Sequence, residues 1–308
     1  MRRSAVLLST VLAAAALLVA PSPARAADPL PVPYQFLPSA VLGGEPDADA
    51  PGTNDWSCRP SAEHPRPVVL VHGTAGNRST NWQTYGPLLR NNGYCVFALT
   101  YGVAPGTSYP LSALGGMNDI AGSAAELGAF VDKVLAATGA RRVDIVGHSQ
   151  GTLMPDYYAK FLGGGPKIRH YVSLAPLWHG TGLGDIRPLL RNAFGPAADQ
   201  PMPFCAACDQ MATSSAFMAR MRSGGVAVKG IRYTNIVTRY DELVRPYSSG
   251  IQRGMRNIVL QDRCPLDLTE HFEMAADRNA SVLVLNALDP AHPRPVPCVP
   301  VLPFVGGA

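Results

Sequence analysis

Residues 142–162 read RVDIVGHSQGTLMPDYYAKFL, with the pentapeptide Gly147-His148-Ser149-Gln150-Gly151 near their centre. The apolar residues before the pentapeptide predict a buried strand over 142–146, and the residues after it predict a helix over 150–162. Glycines two residues before and after the central serine allow a strand to turn sharply into a helix. The pattern therefore predicts a strained turn that lifts a serine hydroxyl above a sheet edge, at the positive end of a helix.

Strand and helix patterns alternate along the chain on both sides of this turn. Apolar runs rich in β-branched and aromatic residues predict further strands at 67–71, 94–101, 168–174, 231–237 and 257–260. Helical spacing predicts a helix between Asn118, its expected N-cap, and Gly139, and we expect a last helix at 270–276. Strands that alternate with helices indicate an α/β protein whose mostly parallel sheet has helices on both faces.

A serine nucleophile needs a base that takes its proton and an acid that orients the base. When the serine stands on a turn of this kind, the chain order is serine, acid, histidine. Asp241 shortly follows the predicted strand at 231–237 and is the candidate acid, with its neighbour Glu242 as the rival. His271 lies in a loop after Asp241 and is the candidate base, while His292, in a proline-rich tail, is the alternative.

Acyl transfer also requires two hydrogen-bond donors aimed at the oxyanion that forms in the reaction. One donor is expected to be the backbone N–H of Gln150, directly after the serine. The loop at 72–76, HGTAG, follows the first core strand, and Thr74 is the candidate for the second donor. The alternative is that this loop is only a tight turn. His148 is expected to be a packing residue.

The first 26 residues have the layout of a secretory signal peptide. Arg2 and Arg3 precede an apolar run at 5–20, and Ala24-Arg25-Ala26 supplies a cleavage site after Ala26. A membrane anchor is the alternative, but the run is short for a spanning helix and two prolines follow it. We therefore expect a secreted domain at 27–308 without a transmembrane segment.

Residues 178–228 interrupt the alternation of strands and helices. They contain Pro, Gly, two cysteines and four methionines, Met202, Met211, Met218 and Met221. We interpret them as an insertion over one end of the sheet. Two roles stay open: a surface excursion packed by its own apolar residues, or a cap that lines an acyl pocket with adaptable methionines. Residues 28–67, rich in Pro, Gly and Asp, are expected to wrap the outside without core elements.

Charge and cysteine content narrow the expected partners. Without the three arginines of the leader, 23 basic residues stand against 22 acidic ones, and no basic run is interleaved with aromatics, so nucleic acid is not an expected partner. Six cysteines in an exported chain predict disulfides, but the sequence alone allows fifteen pairings. The pair Cys205-x-x-Cys208 has no second Cys or His pair at finger-like spacing, which argues against zinc.

The sequence resembles the lipase class 2 family of secreted bacterial triacylglycerol lipases and, more distantly, the fungal lipase B type. The likeness rests on Val71-His72-Gly73-Thr74, on the pentapeptide with Met154-Pro155, Tyr157-Tyr158 and Lys160-Phe161-Leu162-Gly163-Gly164, on Leu174-Ala175-Pro176 with His179-Gly180-Thr181, and on Asp241-Glu242-Leu243-Val244 with Pro246. Thr152 departs from the pattern, because the family often has a second glycine there. We expect this β-branched residue to crowd the turn.

This resemblance implies an α/β-hydrolase fold and an enzyme that hydrolyses acyl esters or lipids, including at a lipid–water interface. We expect it to be a monomer. It implies Ser149, Asp241 and His271 as the catalytic triad, Thr74 and Gln150 as oxyanion donors, and no metal or organic cofactor. It also implies disulfides that join Cys58 to Cys95, Cys205 to Cys208 and Cys264 to Cys298. The alternatives are an acyltransferase or polyester hydrolase with the same triad, and a non-catalytic binding protein on a hydrolase scaffold.

Overall fold

A computed structural model describes residues 28–42, 48–104, 106–182 and 205–307; the predicted signal peptide lies outside these residues. Six strands form a central sheet: β1 (Val68–Val71), β2 (Val96–Leu99), β3 (Val143–His148), β4 (Ile168–Leu174), β5 (Arg232–Val237) and β6 (Arg256–Val259). Their spatial order is β2-β1-β3-β4-β5-β6, and every neighbouring pair is parallel. The parallel sheet confirms the predicted architecture.

The strands are apolar because the sheet is covered on both faces. All four residues of β1 are fully buried. Val68 and Leu70 belong to the core on one face, and Val69 and Val71 belong to the core on the other face. Each such side chain contributes about 1.5–3 kcal/mol by leaving water. The two cores together hold the sheet rigid beneath the loops at the carboxyl ends of its strands.

The helices pack in two layers against this sheet. They are α1 (Phe36–Leu42), α2 (Tyr85–Asn91), α3 (Ile120–Thr138), α4 (Met154–Phe161), α5 (Ala206–Gln210), α6 (Ala216–Arg222) and α7 (Arg278–Leu288). Buried residues of α3, α4 and α6 share one core, while those of α2 and α7 share the other. In the described segments, no helix has both the length and the hydropathy that crossing a bilayer requires.

Helix α3 ends as predicted but begins one residue later than expected. Gly139 ends it in the left-handed conformation, with φ of +71°. Its N-cap is Asp119, whose carboxylate accepts a hydrogen bond from the N–H of Gly122 at 2.7 Å. Asn118 is the predicted cap, but its side-chain Oδ1 accepts a hydrogen bond from the N–H of Asp119 instead. Both residues have short polar side chains suited to capping, so the sequence pattern did not separate them.

The prediction of a helix at 270–276 is wrong. Only a short 3₁₀ turn, Glu273–Ala275, forms there, and the last long helix is α7. The carboxylate of Glu270 accepts hydrogen bonds from the N–H groups of Phe272 and Glu273, which favours a turn over a helix. Asp277 then caps α7 through the N–H of Ala280.

The chain before β1 was expected to wrap the outside without core elements, and it carries helix α1, whose described side chains belong to neither hydrophobic core. The N–H of Phe36 donates to the carboxylate of Glu273 at 3.0 Å. The Phe36 ring stacks on Phe272, with centroids 6.1 Å apart. Helix α1 therefore packs beside the loop that carries His271.

The predicted insertion at 178–228 is described only in part, since 183–204, including Met202, lie outside the described residues. The remaining part forms α5 and α6. Met211, Met218 and Met221 are buried in the same core as α3 and α4. Thr181 also forms an isolated β-bridge with Ala212. The described part of the insertion is thus packed onto the main core.

Three disulfides join Cys58 to Cys95, Cys205 to Cys208 and Cys264 to Cys298, which are the pairs that the resemblance implied. Because Cys205 and Cys208 are joined to each other, they are not available as zinc ligands. The tail after Cys298 forms a hairpin of β7 (Val301–Leu302) and β8 (Gly306–Gly307). The third disulfide attaches this tail to the chain just after β6.

Candidate active site

Ser149 stands at a sharp bend between β3 and α4. Its φ of +54° is in the left-handed region, which residues other than glycine seldom occupy, so the bend is strained. A Cβ atom at Gly147 would lie 2.0 Å from the carbonyl oxygen of Gly151. A Cβ atom at Gly151 would lie 2.0 Å from the carbonyl oxygen of Val71. Only glycine fits at these two positions, which explains the spacing of the pentapeptide.

Thr152 was expected to crowd the turn, but its side chain fits there and forms a hydrogen bond within the turn. Its side chain is fully buried, and its hydroxyl donates to the carbonyl of Ser149 at 2.7 Å. The hydroxyl of Tyr171, on β4, donates to the carbonyl of Thr152 at 2.6 Å. The threonine therefore adds hydrogen bonds to the turn that carries the serine.

His271 connects Ser149 to Asp241. Its Nε2 lies 2.9 Å from Ser149 Oγ, and its Nδ1 lies 2.9 and 3.0 Å from the two carboxylate oxygens of Asp241. An ionised carboxylate only accepts hydrogen bonds, so the ring proton resides on Nδ1 and Nε2 is free to accept the serine proton. All three predicted residues are thus brought into one hydrogen-bonded chain.

The two rivals of these residues are placed elsewhere. Glu242 contacts the backbone of His271 instead of its ring nitrogens, because its Oε2 accepts a hydrogen bond from the backbone N–H of His271 at 3.1 Å. The side chain of His292 is 79% exposed, and its Nδ1 lies 3.0 Å from Asp289. Asp241 is oriented by its own turn, because its Oδ1 accepts from the N–H groups of Leu243 and Val244 at 3.0 and 2.7 Å.

Two effects act in opposite directions on the pKa of His271. Burial disfavours the imidazolium, yet the charge of Asp241 and its hydrogen bond outweigh that effect, so the pKa of His271 is raised above its ordinary value. Glu242 and Glu270 add to the rise. The surroundings of the ring thus favour the imidazolium over the neutral imidazole.

The backbone of His271 is held from both sides, by residues for which the sequence reasoning found no such role. Glu242 accepts from its N–H, and His148 Nε2 lies 2.9 Å from its carbonyl oxygen. Burial, with a smaller contribution from His271, lowers the pKa of His148 to about 3, so His148 is neutral near pH 7. Its single proton on Nε2 then donates to that carbonyl. No local signal reveals this contact, because the partner is 123 residues away.

The loop of the predicted second oxyanion donor lies against the serine. A Cβ atom at Gly73 would lie 3.1 Å from Ser149 Cβ, so the chain passes very close to Ser149 just before Thr74. The Thr74 hydroxyl lies 3.9 Å from Met211 Sδ, in the insertion. Gln150 is in the first turn after Ser149, where backbone N–H groups lack partners within the helix.

Side chains behind Ser149 connect the loop at 72–76 to the turn that begins at Ser149. Gln150 Nε2 donates to the carbonyl of Gly116 at 3.0 Å, and its Oε1 lies 2.9 Å from the Tyr101 hydroxyl. That hydroxyl also lies 2.7 Å from the carbonyl of His72. Burial lowers the pKa of His72 to about 4, so this ring is neutral and stacks on Tyr101. Tyr101 was not expected at the site from sequence.

Comparison with known proteins gives a family match over most of the folded chain. The model of the family Lipase (class 2) matches residues 65–283. A triacylglycerol lipase of Pseudarthrobacter phenanthrenivorans is 36% identical over 98 residues, 30% of this chain and 28% of the relative. A triacylglycerol lipase of Burkholderia plantarii is also 36% identical over 98 residues, 30% of this chain and 25% of the relative. The matches thus span only about a quarter of the length of these curated relatives.

Two solved structures share the fold. Lipase B of Aspergillus fumigatus is similar with a TM-score of 0.58 at 20% identity, over 82% of this chain and 64% of that chain. The mature form of Bacillus licheniformis lipase BlEst2 is similar with a TM-score of 0.54 at 16% identity, over 80% of this chain and 96% of that chain. At such identities the likeness concerns the fold, and it agrees with the predicted α/β-hydrolase architecture.

Proposed function

The chain belongs to the lipase (class 2) family, and on that premise we propose that it hydrolyses carboxylic esters of lipids through an acyl-enzyme on Ser149. The observation that carries the proposal is the hydrogen-bonded chain from Ser149 Oγ through His271 to Asp241, at a strained bend in front of a helix. A buried serine–histidine–carboxylate chain of this geometry is the arrangement that acyl transfer requires.

In the proposed first step, Ser149 Oγ attacks the ester carbonyl carbon while His271 Nε2 takes the hydroxyl proton. Asp241 holds the proton on Nδ1 and stabilises the imidazolium. The carbonyl oxygen becomes an oxyanion, which the backbone N–H groups of Gln150 and Thr74 stabilise by about 3 kcal/mol each. His271 then passes its proton to the alkoxide, and the alcohol leaves.

The second step repeats this chemistry with water. His271 Nε2 removes a proton from a water molecule as the water oxygen attacks the acyl carbon of the Ser149 ester. Collapse of the second oxyanion breaks the bond to Ser149 Oγ, which recovers its proton from the imidazolium. The products are the free acid and the starting enzyme, so no other reactant is required.

We also propose that the protein acts outside the cell. The leader at 1–26 has the three-part layout of an export signal, and the three disulfides suit an oxidising compartment. Lipid esters in that setting lie at a lipid–water interface, which is where we place the substrate.

Hydrolysis rates on p-nitrophenyl esters of increasing acyl length test the substrate class. We expect turnover to persist on long chains and on emulsified triglyceride, with Ser149→Ala as the inactive control. Turnover confined to short soluble esters would identify an esterase and contradict the lipid substrate. Measurable turnover by Ser149→Ala equal to that of the parent would contradict the proposed nucleophile itself.

A further inference from the structure

The turn at 73–76 follows β1 and contains the N–H of Thr74, the proposed second oxyanion donor. Its other three N–H groups have acceptors within the protein: Gly73 donates to Asn81 Oδ1 at 3.4 Å, Ala75 to the Gly115 carbonyl at 2.8 Å and Gly76 to the Gly73 carbonyl at 3.1 Å. Among the residues that the structure describes, the N–H of Thr74 has no acceptor. Because backbone donors are nearly always paired, this N–H is the one of the turn that remains for a bound substrate.

The ring of His72 is engaged at both of its nitrogens. The backbone N–H of Tyr101, which can only donate, lies 3.3 Å from Nε2, so Nε2 is the unprotonated acceptor. The single proton of this neutral ring is therefore on Nδ1, which donates to the carbonyl of Gly73 at 2.7 Å. The ring is fully buried and stacks on Tyr101 with centroids 4.2 Å apart, so packing holds its plane.

The carbonyl of Gly73 consequently has two donors, His72 Nδ1 and the N–H of Gly76. The peptide between Gly73 and Thr74 is trans and planar, so its carbonyl and its N–H point in opposite directions. Fixing the Gly73 carbonyl therefore fixes the direction of the Thr74 N–H. Rotation of this peptide would break both hydrogen bonds at the carbonyl and turn the N–H around.

The same peptide lies beside Ser149, since a Cβ atom at Gly73 would be 3.1 Å from Ser149 Cβ. An oxyanion donor is effective only within about 2.7–3.1 Å of the oxyanion. A rotated peptide would present a carbonyl oxygen in place of an N–H, and a carbonyl repels the negative charge. The orientation of this one peptide thus determines whether the second donor exists.

We propose that His72 is a positioning residue that directs the Thr74 N–H toward the oxyanion formed on Ser149. The role presupposes the proposed ester hydrolysis. Both ring nitrogens of His72 are bound within the protein, so the residue acts through the Gly73–Thr74 peptide and not by contact with the substrate. An interaction that is made only in the transition state lowers kcat when it is lost and leaves KM unchanged.

Two substitutions separate the donor at Nδ1 from the rest of the ring. His72→Asn places an amide N–H at the position of Nδ1, whereas His72→Gln reaches the position of Nε2 and leaves the Gly73 carbonyl without a side-chain donor. We expect kcat of His72→Gln on a soluble p-nitrophenyl ester to fall about a hundredfold, as when an oxyanion donor is lost, with KM unchanged. His72→Asn should stay within about fivefold of the parent, because it keeps the donor. The matched control His292→Gln changes an exposed histidine and should retain the parent rate.

Inhibition by an aliphatic trifluoromethyl ketone is the second measurement. Ser149 Oγ adds to its carbonyl carbon, His271 takes the serine proton, and the carbonyl oxygen becomes an oxyanion that resembles the transition state. The inhibition constant of His72→Gln should rise by the same factor as kcat/KM falls, and that of His72→Asn should stay near the parent value. Equal inhibition of the parent and His72→Gln would overturn the positioning role, and so would equal loss of rate in both variants, which indicates packing.

The tautomer of His72 tests the proposal in the parent protein, even where His72→Gln does not fold. Long-range proton–nitrogen NMR of protein with isotope-labelled histidine should show the proton on Nδ1, in the signal that His72→Asn lacks. A proton on Nε2 would overturn the proposal, because Nδ1 could not then donate to Gly73. Hydrolysis that Ser149→Ala abolishes, with equal kcat for the parent and His72→Gln, would overturn the role of His72 and leave the proposed function standing. A parent that hydrolyses no ester would contradict the proposed function and this role with it.

Discussion

The proton on His271 Nδ1 determines what this histidine can do for Ser149. Asp241 accepts that proton in a hydrogen bond of 2.9 Å, which leaves Nε2 unprotonated and facing the hydroxyl. The same carboxylate stabilises the imidazolium against burial. The geometry thus serves both halves of the proposed proton transfer, from the serine and back to the leaving alcohol.

The activity should fall on the acidic side of neutrality. His271 acts as a base only when it is neutral. Burial lowers its pKa, but the charge and hydrogen bond of Asp241 outweigh burial, so the pKa is raised above the ordinary 6.5. Lowering the pH through this raised pKa protonates Nε2, so kcat/KM should decrease with a midpoint above pH 6.5. A pH profile of kcat/KM on a soluble ester measures the midpoint, and a midpoint near pH 4 would contradict His271 as the base.

His148 should matter for rate although it does not touch the serine hydroxyl. Replacing it by alanine removes the donor to the His271 carbonyl and frees the loop of the base. We expect kcat to fall about tenfold to a hundredfold with little change in KM, because small displacements of a catalytic group cost that much. Steady-state kinetics of His148→Ala measure this effect.

Two further variants separate positioning by His148 from loss of packing. His148→Gln keeps a side-chain N–H donor and should recover part of the rate. The matched control His292→Ala removes an exposed histidine that pairs with Asp289 and should keep full activity. A rate for His148→Gln as low as that of His148→Ala would contradict the positioning role.

At the scale of elements, the site depends on how closely β3, the bend and α4 approach β1. The chain passes so close that Cβ atoms at Gly147 and Gly151 would overlap backbone carbonyl groups. The strain at Ser149 is maintained because rigid neighbours on both sides allow no relaxation. Ser149 is thus held by the packing of the sheet.

Gly151→Ala should therefore be severely destabilising. Its new methyl group would lie 2.0 Å from the Val71 carbonyl oxygen, in a core that cannot yield, and we expect a loss of about 3 kcal/mol or more, or no soluble protein. The control is Gly122→Ala in α3, where the nearest atom is 3.6 Å away, and a gain of about 0.5–1 kcal/mol is expected. Urea unfolding measures both values. Wild-type stability of Gly151→Ala would contradict the close approach.

Local patterns predicted the elements that are bounded by clear signals. Strand β4 at 168–174 matches its prediction, because the segment after Pro166 is rich in aliphatic and aromatic residues and is buried along nearly its whole length. The glycines of the pentapeptide likewise fixed the bend. The helix expected at 270–276 failed because Glu270 satisfies the backbone N–H groups of that segment with its side chain. Such a competition is decided by tertiary packing, which no window of sequence contains.

The candidate site likewise contains residues that the sequence predicts and contacts that only the structure reveals. Chain order and spacing selected Ser149, Asp241 and His271, since an elbow and a triad impose them. The contact between His148 and the His271 backbone, and the inward turn of Tyr101, have no local signal, because they join segments far apart in sequence. These contacts become visible only when the parallel sheet brings the carboxyl ends of its strands to one edge.

At the scale of the whole molecule, both ends of the described chain converge on the loop that carries His271. The N–H of Phe36, in α1, donates to Glu273. From the other end, Leu268 N–H donates to the carbonyl of Val301, and Gly307 N–H donates to the carbonyl of Tyr34. The disulfide between Cys264 and Cys298 closes this arrangement covalently. His271 is thus supported by chain segments from beyond the central sheet.

Removing the disulfide between Cys264 and Cys298 should lower the free energy of unfolding more than removing the one between Cys205 and Cys208. Cys264 and Cys298 are 34 residues apart, which corresponds to about 4 kcal/mol of unfolded-state entropy, whereas Cys205 and Cys208 are 3 apart and correspond to less than about 2 kcal/mol. Urea unfolding of the two double serine variants measures the difference. Equal losses, or a larger loss for the short loop, would contradict the bracing role of the tail.

The most direct measurement is stoichiometric labelling with a fluorophosphonate, followed by mass spectrometry of the digested protein. The account predicts one adduct per chain, on Ser149, with ester hydrolysis lost in proportion to labelling and no adduct on folded Ser149→Ala. Retained hydrolysis after complete labelling of Ser149, or an unlabelled Ser149 in folded, active protein, would contradict it.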